Sequence, residues 1–366
     1  MKFTAPKEII LEELQMLQGI VEKRNTMPIL ANILLQVGEE DVELTGTDLE
    51  VGLRTHFPAQ VEEPGSVTVS GKKIFEIVKS LPDGQPVTFK ESGDAVMHVT
   101  AGASEFKVNC LPKDDYPAVP DSKFDKKIAF PADKFQDMID RVFFAIAQEQ
   151  RYYLNGALMV IKAKSLELVS TDGHRLSYCQ RTADDLAPAK EIRVIVAKKT
   201  LNELRKMGGE SIEFDMDESN LFFRCGRRTL ISRVIESKFP NFEAVIPKDN
   251  PHAVHLPRAA FTDAIRRVSL LSAERSRGIK LTFEKNRIRM YSSNPEMGEA
   301  RDKIDVEYKG ATMEIGFNSQ YMLDFLTTVT TEKIRFDLKD ENSAALMKPE
   351  GEEDLKSLYV LMPMKI

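Results

Sequence analysis

The chain has 366 residues, of which 42% are hydrophobic and 30% charged, and a formal net charge of −6. That length exceeds one ordinary core and predicts two to three domains, and the composition is that of a globular protein without disordered bias. No apolar run approaches the roughly 20 residues that cross a bilayer, and MKFTAPKEII at the start lacks the apolar segment of a signal peptide, so a cytoplasmic protein is expected.

In chain order, the first element is a helix over 5–17, APKEIILEELQML, with proline near its start and apolar residues at helical spacing. Two strands broken by a polar turn follow in ILLQVGEEDVELTGTD (33–48). GSVTVSGKK (65–73) resembles a phosphate loop, but five residues separate its glycines and Lys73 stands where serine or threonine would hold magnesium. Alternating Val67 and Val69 make it a strand entering the helix of KKIFEIVKSLPDGQPVTF (72–89), which closes with a glycine-containing break and another strand.

The layout then recurs. FPADKFQDMIDRV (130–142) and LPRAAFTDAIRRV (256–268) repeat the first helix, and prolines 6, 131 and 257 lie 125 and 126 residues apart. ALMVIKAKSLELVSTD (157–172) and IKLTFEKNRIRMYSSN (279–294) repeat the strand pair. KKTLNELRKMGGESIEF (198–214) and SQYMLDFLTTVTTEKIRF (319–336) repeat the second helix and its strand. Agreement at three places with one period predicts three copies of one α+β domain, over 1–122, 123–250 and 251–366. PAVPDSKFDKK and PKDNPHAV, rich in proline and charge, read as the joins. Helices are expected on one face of antiparallel sheets, and the sheet edges left at the ends of such a row must be capped or paired with another copy.

Chemistry is sparse. Cys110, Cys179 and Cys225 form no CxxC or Cys/His cluster, so buried reduced thiols are expected, with neither metal nor cofactor. LELVSTDGHRL (166–176) brings Asp172, Gly173, His174 and Arg175 to one turn and is the best candidate for a hydrolase. The repeat argues the other way, because Thr47-Asp48 fills the same turn without His or Arg, as an Asp capping turn amides does. Catalysis, a binding turn and plain turn chemistry all remain open on these residues. Positive charge is better organised: Lys198, Lys199, Arg205 and Lys206 face one acid, Glu203, and Lys72, Lys73 and Lys79 face Glu76. Equivalent helices of one sign point to a shared face on a polyanion, helped by Arg24, Arg275 and Arg277. RCGRRTLISR (224–233) carries four arginines that strand alternation could divide between faces. Tryptophan is absent and stacking residues are scarce, which favours backbone contact over base reading.

From end to end the chain resembles the bacterial DNA polymerase III beta subunits, the sliding clamps. The resemblance rests on MKFT, MPILANILLQV (27–37), LTGTDLE (44–50), RYYLNG (151–156), STDGHRL (170–176), KFPNFEAVIP (238–247), EIGFNSQY (314–321) and YVLMPMKI (359–366), in that order and spacing. It implies a homodimer, two chains head to tail in a closed ring of six domains with twelve helices lining the hole. Such a ring encircles double-stranded DNA without sequence preference, tethers the replicative polymerase alpha subunit, is opened by a clamp-loader complex, and has no enzymatic activity. The alternatives from other classes are a hydrolase using Asp172 and His174, and a peptide-binding scaffold that meets no DNA.

The resemblance also implies a pocket for short linear peptides of the polymerase, the loader and other proteins carrying the clamp-binding motif. Its positions here are Leu154, Thr171, Gly173, His174, Arg175, Leu176, Pro240, Val245, Asn318, Tyr321, Ala344, Val360, Met362, Pro363, Met364 and Lys365. Ala244 stands where some relatives carry arginine, and Ala344 offers no polarity, which shifts the polar fixing of a peptide to His174, Arg175 and Asn318. The DNA-facing positions are Arg24, Lys72, Gln148, Tyr152, Tyr153, Lys198 and Lys199, and in the dimer seam Phe106 and Val108 would meet Leu270 and Leu271. The acidic stretch KPEGEEDLKS (348–357) acquires no role.

Overall fold

Apolar residues at helical and alternating spacing build the same order of elements three times. The first copy runs β1 (Lys2–Pro6), α1 (Lys7–Leu17), β2 (Asn32–Val37), β3 (Asp41–Thr47), β4 (Val51–Pro58), β5 (Gln60–Glu63), β6 (Gly65–Ser70), α2 (Gly71–Ser80), β7 (Pro86–Ser92), β8 (Val96–Ala101) and β9 (Ser104–Leu111). The second runs β10 (Ile128–Pro131), α3 (Ala132–Phe143), β11 (Gly156–Lys162), β12 (Ser165–Thr171), β13 (Arg175–Thr182), β14 (Ile192–Ala197), α4 (Lys198–Leu204), β15 (Ser211–Met216), β16 (Asn220–Cys225) and β17 (Arg228–Arg233). The third runs β18 (His252–Pro257), α5 (Arg258–Ser269), β19 (Gly278–Glu284), β20 (Arg287–Asn294), β21 (Gly298–Asp305), β22 (Met313–Asn318), α6 (Ser319–Thr328), β23 (Lys333–Leu338), β24 (Ala345–Pro349) and β25 (Leu355–Leu361). This computed structural model describes every residue except 22–26, 94, 149–151, 184, 185, 187 and 189, and only the backbone of Tyr152.

Each helix buries one stripe. Ile10, Leu14 and Leu17 do so in α1, and Phe261, Ile265 and Val268 in α5, each at i, i+4 and i+7. Each such side chain removed from water contributes about 1.5–3 kcal/mol. The second helix of the first and third copies is capped from the residue before it: Ser70 Oγ accepts from Lys73 N, and Asn318 Oδ1 accepts from Gln320 N and Tyr321 N.

Strand order repeats as well. β6-β2-β3-β4, β14-β11-β12-β13 and β22-β19-β20-β21 are one arrangement, and β1-β7-β8-β9, β10-β15-β16-β17 and β18-β23-β24-β25 are the other. Copies join by strand pairing. β4 pairs with β17 from Val51–Ser232 to Thr55–Arg228, and β13 with β25 from Arg175–Leu361 to Arg181–Leu355. By compactness the chain divides into two units, Met1–Phe135 with Lys199–Val234, and Gln136–Lys198 with Ile235–Ile366. These boundaries differ from the repeat because each sheet of the middle copy is hydrogen-bonded to a different neighbour.

Within the first unit, Phe3 stacks on Phe89 at 4.8 Å in the core. The joint β4–β17 is locked by a buried ion cluster: Arg228 Nε lies 2.8 Å from Glu13 Oε2, and its Nη2 reaches Glu13 Oε1 at 2.8 Å and Glu12 Oε1 at 2.5 Å. Thr55 Oγ1 donates to the same Glu13 carboxylate at 2.7 Å. Glu13 is fully enclosed, and its hydrogen bonds hold the Arg228 guanidinium above its ordinary pKa. In the second unit the acidic stretch after β24 makes the matching contact with the charges exchanged: Glu352 Oε1 lies 2.6 Å from Arg141 Nη2 on α3. The carbonyls of Arg141 and Val142 in the last turn of α3 accept from Ser177 Oγ and Ser170 Oγ, and Ser292 Oγ serves Val268 of α5 in the same way. All three cysteines are buried, and burial raises each thiol's pKa, that of Cys110 to about 11.

The Glu13 cluster gives a stability prediction. Glu13→Gln leaves two arginines facing an uncharged amide in a dry site and should cost about 3 kcal/mol. A urea titration followed by circular dichroism should show a lower unfolding midpoint, while Glu12→Gln, at an exposed position, should shift it far less.

Candidate peptide pocket and nucleic-acid-facing residues

The turn between β12 and β13 is held by its own side chains. Thr171 Oγ1 donates to Arg175 O at 2.6 Å and accepts from Gly173 N, while Asp172 Oδ1 accepts from His174 N and Arg175 N at 3.0 and 3.1 Å. The first copy uses the same bonds: Thr47 Oγ1 with Val51 O and Leu49 N, and Asp48 Oδ1 with Glu50 N and Val51 N. Gly173 has φ 92° and Leu49 in its place has φ 79°, so this position is left-handed in both and glycine takes it without strain. Asp172 is therefore a turn cap. Its carboxylate meets the His174 backbone, and its second oxygen binds Arg175 Nε at 2.9 Å.

Arg175 points inward. Its Nη1 reaches Asp324 Oδ2 and its Nη2 the Phe144 carbonyl, both at 2.5 Å, and the guanidinium lies 4.2 Å over the Tyr321 ring. Burial alone lowers its pKa, but Tyr359, Asp324 and Asp172 outweigh that and raise it. Arg175 thus ties the turn to α6, and the polar atoms nearer solvent belong to His174, which is exposed, and Asn318. Asn318 caps α6 through Oδ1 and gives Nδ2 to Ser276 O at 3.2 Å.

Behind this turn lies an apolar layer. Leu176 and Val360 stand opposite each other in β13 and β25, and they share a cluster with Leu346, Phe242 and Tyr178, with Ala344 and Ile246 packed against it. Phe242 stacks on Tyr178 at 5.9 Å and carries the short 3-10 turn Phe242–Ala244 across the sheet, leaving Pro240 and Val245 exposed beside it. Leu154 is buried in the 3-10 turn Tyr152–Leu154. The chain end closes the other side: Met362 N donates to His174 O at 3.0 Å and Met364 N to Gly316 O at 2.9 Å, with Met362 and Lys365 exposed and Pro363 and Met364 half-buried. Phe242, Ile246 and Leu346, which support the surface from beneath, were not singled out in the sequence, although the apolar spacing of KFPNFEAVIP carries the signal for two of them.

The residues expected to face DNA divide between the units. Lys72 is exposed at the start of α2 and lies 3.5 Å from Glu76. Lys199 is engaged, its ammonium on the Asp48 carboxylate and the Ile20 carbonyl. In the second unit Gln148 and Tyr153 are exposed, and Lys198 Nζ sits over the Phe143 ring, its pKa lowered by burial and then by Arg175. Arg24 and the Tyr152 side chain lie outside the described residues. The arginine-rich run is no basic stripe: Arg224 pairs with Glu213, Arg227 and Arg228 with Glu12 and Glu13, and Arg233 is left exposed.

At the seam positions, Phe106 and Val108 are half-exposed on β9, and Leu270 and Leu271 follow α5, with Leu270 76% exposed. β9 touches β6 only at Leu111 and Cys110, and β21 ends the four-stranded sheet. A groove of about 730 Å³ crosses the outer face of that sheet, among Lys280, Tyr291, Arg301 and Glu314. Lys280 pairs there with Glu314, and Arg301 with Glu299. Among the described residues no group of three His, Cys, Asp or Glu side chains is placed to hold a metal ion. No described helix is long and apolar enough to cross a membrane.

Comparison with known proteins agrees along the whole length. The N-terminal, central and C-terminal domains of the DNA polymerase III beta subunit match residues 1–120, 129–241 and 243–365. The beta sliding clamp of Pseudomonas putida is 38% identical, with all of both chains covered. The crystal structure of the DNA polymerase sliding clamp from Pseudomonas aeruginosa superposes with a TM-score of 0.93 at 36% identity, and a griselimycin-bound structure of a clamp from the same organism with 0.94, each covering both chains fully. The chain belongs to the DNA polymerase III beta subunit family, the bacterial beta sliding clamps.

Proposed function

We propose that two copies of this chain close head to tail around duplex DNA and hold the replicative polymerase on it. The protein is then a non-catalytic processivity factor of the cytoplasm, built of domains 1–122, 123–250 and 251–366. The observation that carries this reading is the pair of free strand edges. The last strand of the second copy, β17, pairs with β4, and the last strand of the third, β25, pairs with β13. The strands left over in those two roles are β9, which meets β6 only at Cys110 and Leu111, and β21, which ends its sheet, and such open stretches of strand seek partners.

The existing joints supply the register of the missing one. Gly52, opposite Thr47 in its hairpin, faces Ile231 across the joint, and Leu176, opposite Thr171, faces Val360. In the third copy Glu299 is the residue opposite Ser293, and in β9 Lys107 corresponds to Ile231, because both hairpins close over two residues, Ala101 to Ser104 and Cys225 to Arg228. The same ladder sets Lys107 against Glu299, Phe106 against Ala300 and Glu105 against Arg301. Both charged pairs are opposite in sign and lie on exposed positions, which favours this register over its neighbours.

A closed ring needs no tight grip on DNA. Contacts from Arg24, Lys72, Gln148, Tyr152, Tyr153 and Lys198 to phosphates can stay weak and sequence-blind, which permits sliding and tolerates the net charge of −6. Partner peptides dock on the turn at Gly173 and His174, over Leu176 and Val360, between Val245 and the chain end at Met362 to Lys365. Methionine adapts to varied apolar anchors there.

Four outcomes follow. Assembled on nicked circular DNA, the protein should elute with the DNA through gel filtration and be lost when the circle is cut; equal retention on both forms would overturn the ring. Sedimentation should give about twice the 41.3 kDa chain mass. Glu105→Arg should weaken that dimer by roughly 1 kcal/mol per seam, and adding Arg301→Glu in the same chain should restore it. His174→Ala should weaken peptide binding in a calorimetric titration and leave the dimer mass unchanged.

A further inference from the structure

The last five residues pass over two glycines. Met364 N donates to Gly316 O at 2.9 Å, and Met362 N donates to His174 O at 3.0 Å, with Pro363 between them unable to donate. Gly316 in β22 and Gly278 in β19 lie on paired strands, with Lys280 opposite Gly316 and Asn318 opposite Gly278. A Cβ at Gly316 would overlap the Met364 carbonyl oxygen and come within 2.7 Å of the Ile366 side chain. At Gly278 it would meet Ile366 Cγ1 at 3.3 Å and Met364 Cε at 3.6 Å. Neither glycine has a left-handed φ, so backbone conformation does not require glycine at either place. Glycine inside a strand also marks a site where another backbone approaches closely, and here the approaching backbone is that of Met364.

We propose that Gly316 and Gly278 are the seat of the chain end and thereby position Met362 and Met364 as the movable wall of the peptide pocket. This rests on the peptide-pocket reading above. Beyond Leu361 the described backbone hydrogen bonds of the tail are the two just given, one to the turn and one to the seat. Ile366 is 64% exposed, so the seat grips the tail through backbone and one face of that side chain. A strap held so lightly yields to peptides of different shape and returns when they leave. The two glycines touch no ligand themselves; they are positioning residues.

The test separates the seat from the pocket. In the intact dimer, Gly316→Ala should speed release of Ile366 and Lys365 by carboxypeptidase about tenfold and weaken griselimycin binding about fivefold to tenfold, as loss of one backbone hydrogen bond and its support implies. Gly278→Ala should do the same more mildly, and dimer mass should hold for both. Should Gly316→Ala fail to fold, Ile366→Ser empties the seat without adding volume and carries the same expectations. Unchanged tail release overturns the seat. Faster release with unchanged griselimycin affinity overturns its link to the pocket wall. Failure of the pocket reading itself shows separately, as a His174→Ala protein that binds griselimycin as tightly as the parent.

Discussion

A β-strand edge must find hydrogen-bond partners, and the rest of this architecture depends on how that demand is met at the joints. β4 meets β17 and β13 meets β25 in antiparallel ladders, so neighbouring copies share continuous sheets. The ladder converts a row of small domains into larger hydrogen-bonded bodies, which is why the compact units ignore the repeat boundaries. It also fixes the spacing between copies to one register, since a slip by one residue would turn every inward side chain outward. The same constraint leaves β21 and the part of β9 before Cys110 open, and these two edges are the physical basis for closure between two chains.

Each intrachain joint carries a second lock at the same place. The tip of a hairpin in one copy reaches the first helix of the copy before it: Arg227 and Arg228 reach Glu12 and Glu13 of α1, and Glu352 reaches Arg141 of α3. The polarity is reversed between the two joints. Buried pairs of this kind add little net stability but penalise the wrong partner heavily, because a mismatch leaves an unpaired charge in a dry site. The acidic stretch 348–357 thereby gains a structural role as the hairpin tip of the second joint. In the third copy the helix position corresponding to Arg141 is Arg267, 60% exposed and paired with Asp302, and the hairpin tip of the first copy is Gly102-Ala103, without charge. A seam between two chains would therefore rest on its ladder and apolar contacts without the buried lock, which suits a joint that has to open.

The surface proposed as the peptide pocket follows from the second joint. Because β13 and β25 are neighbours, Leu176 and Val360 share a face, and the turn at one end of β13 lies beside the tail that leaves β25. Arg175 stiffens that corner from below through Asp172, Asp324 and the Tyr321 ring. A rigid turn on one side and a lightly held tail on the other would give the proposed pocket one fixed wall and one adaptable wall.

Much was legible in the sequence alone. The period of the prolines, the recurring strand pairs and the Thr-Asp turn specified three α+β copies, because helix and strand periodicity and turn capping are local properties of the chain. The recurrence of Thr47-Asp48 also argued for Asp172 as a cap, and the turn bonds repeat atom for atom. The strand GSVTVS entering a helix was read correctly against its resemblance to a phosphate loop. Tertiary structure decided what local patterns do not encode. Strand alternation could divide the four arginines of 224–233 between faces, but it could not show that Glu12 and Glu13, more than two hundred residues away, close on two of them. Lys199 looked free until the Asp48 carboxylate met it. Gly316 carried no signal at all, since its reason is the backbone of the tail lying over it. Sequence determines which groups are present and how each segment is inclined to fold; which distant carboxylate neutralises a cation, and which backbone needs the space of a missing side chain, is settled only when the sheets pair.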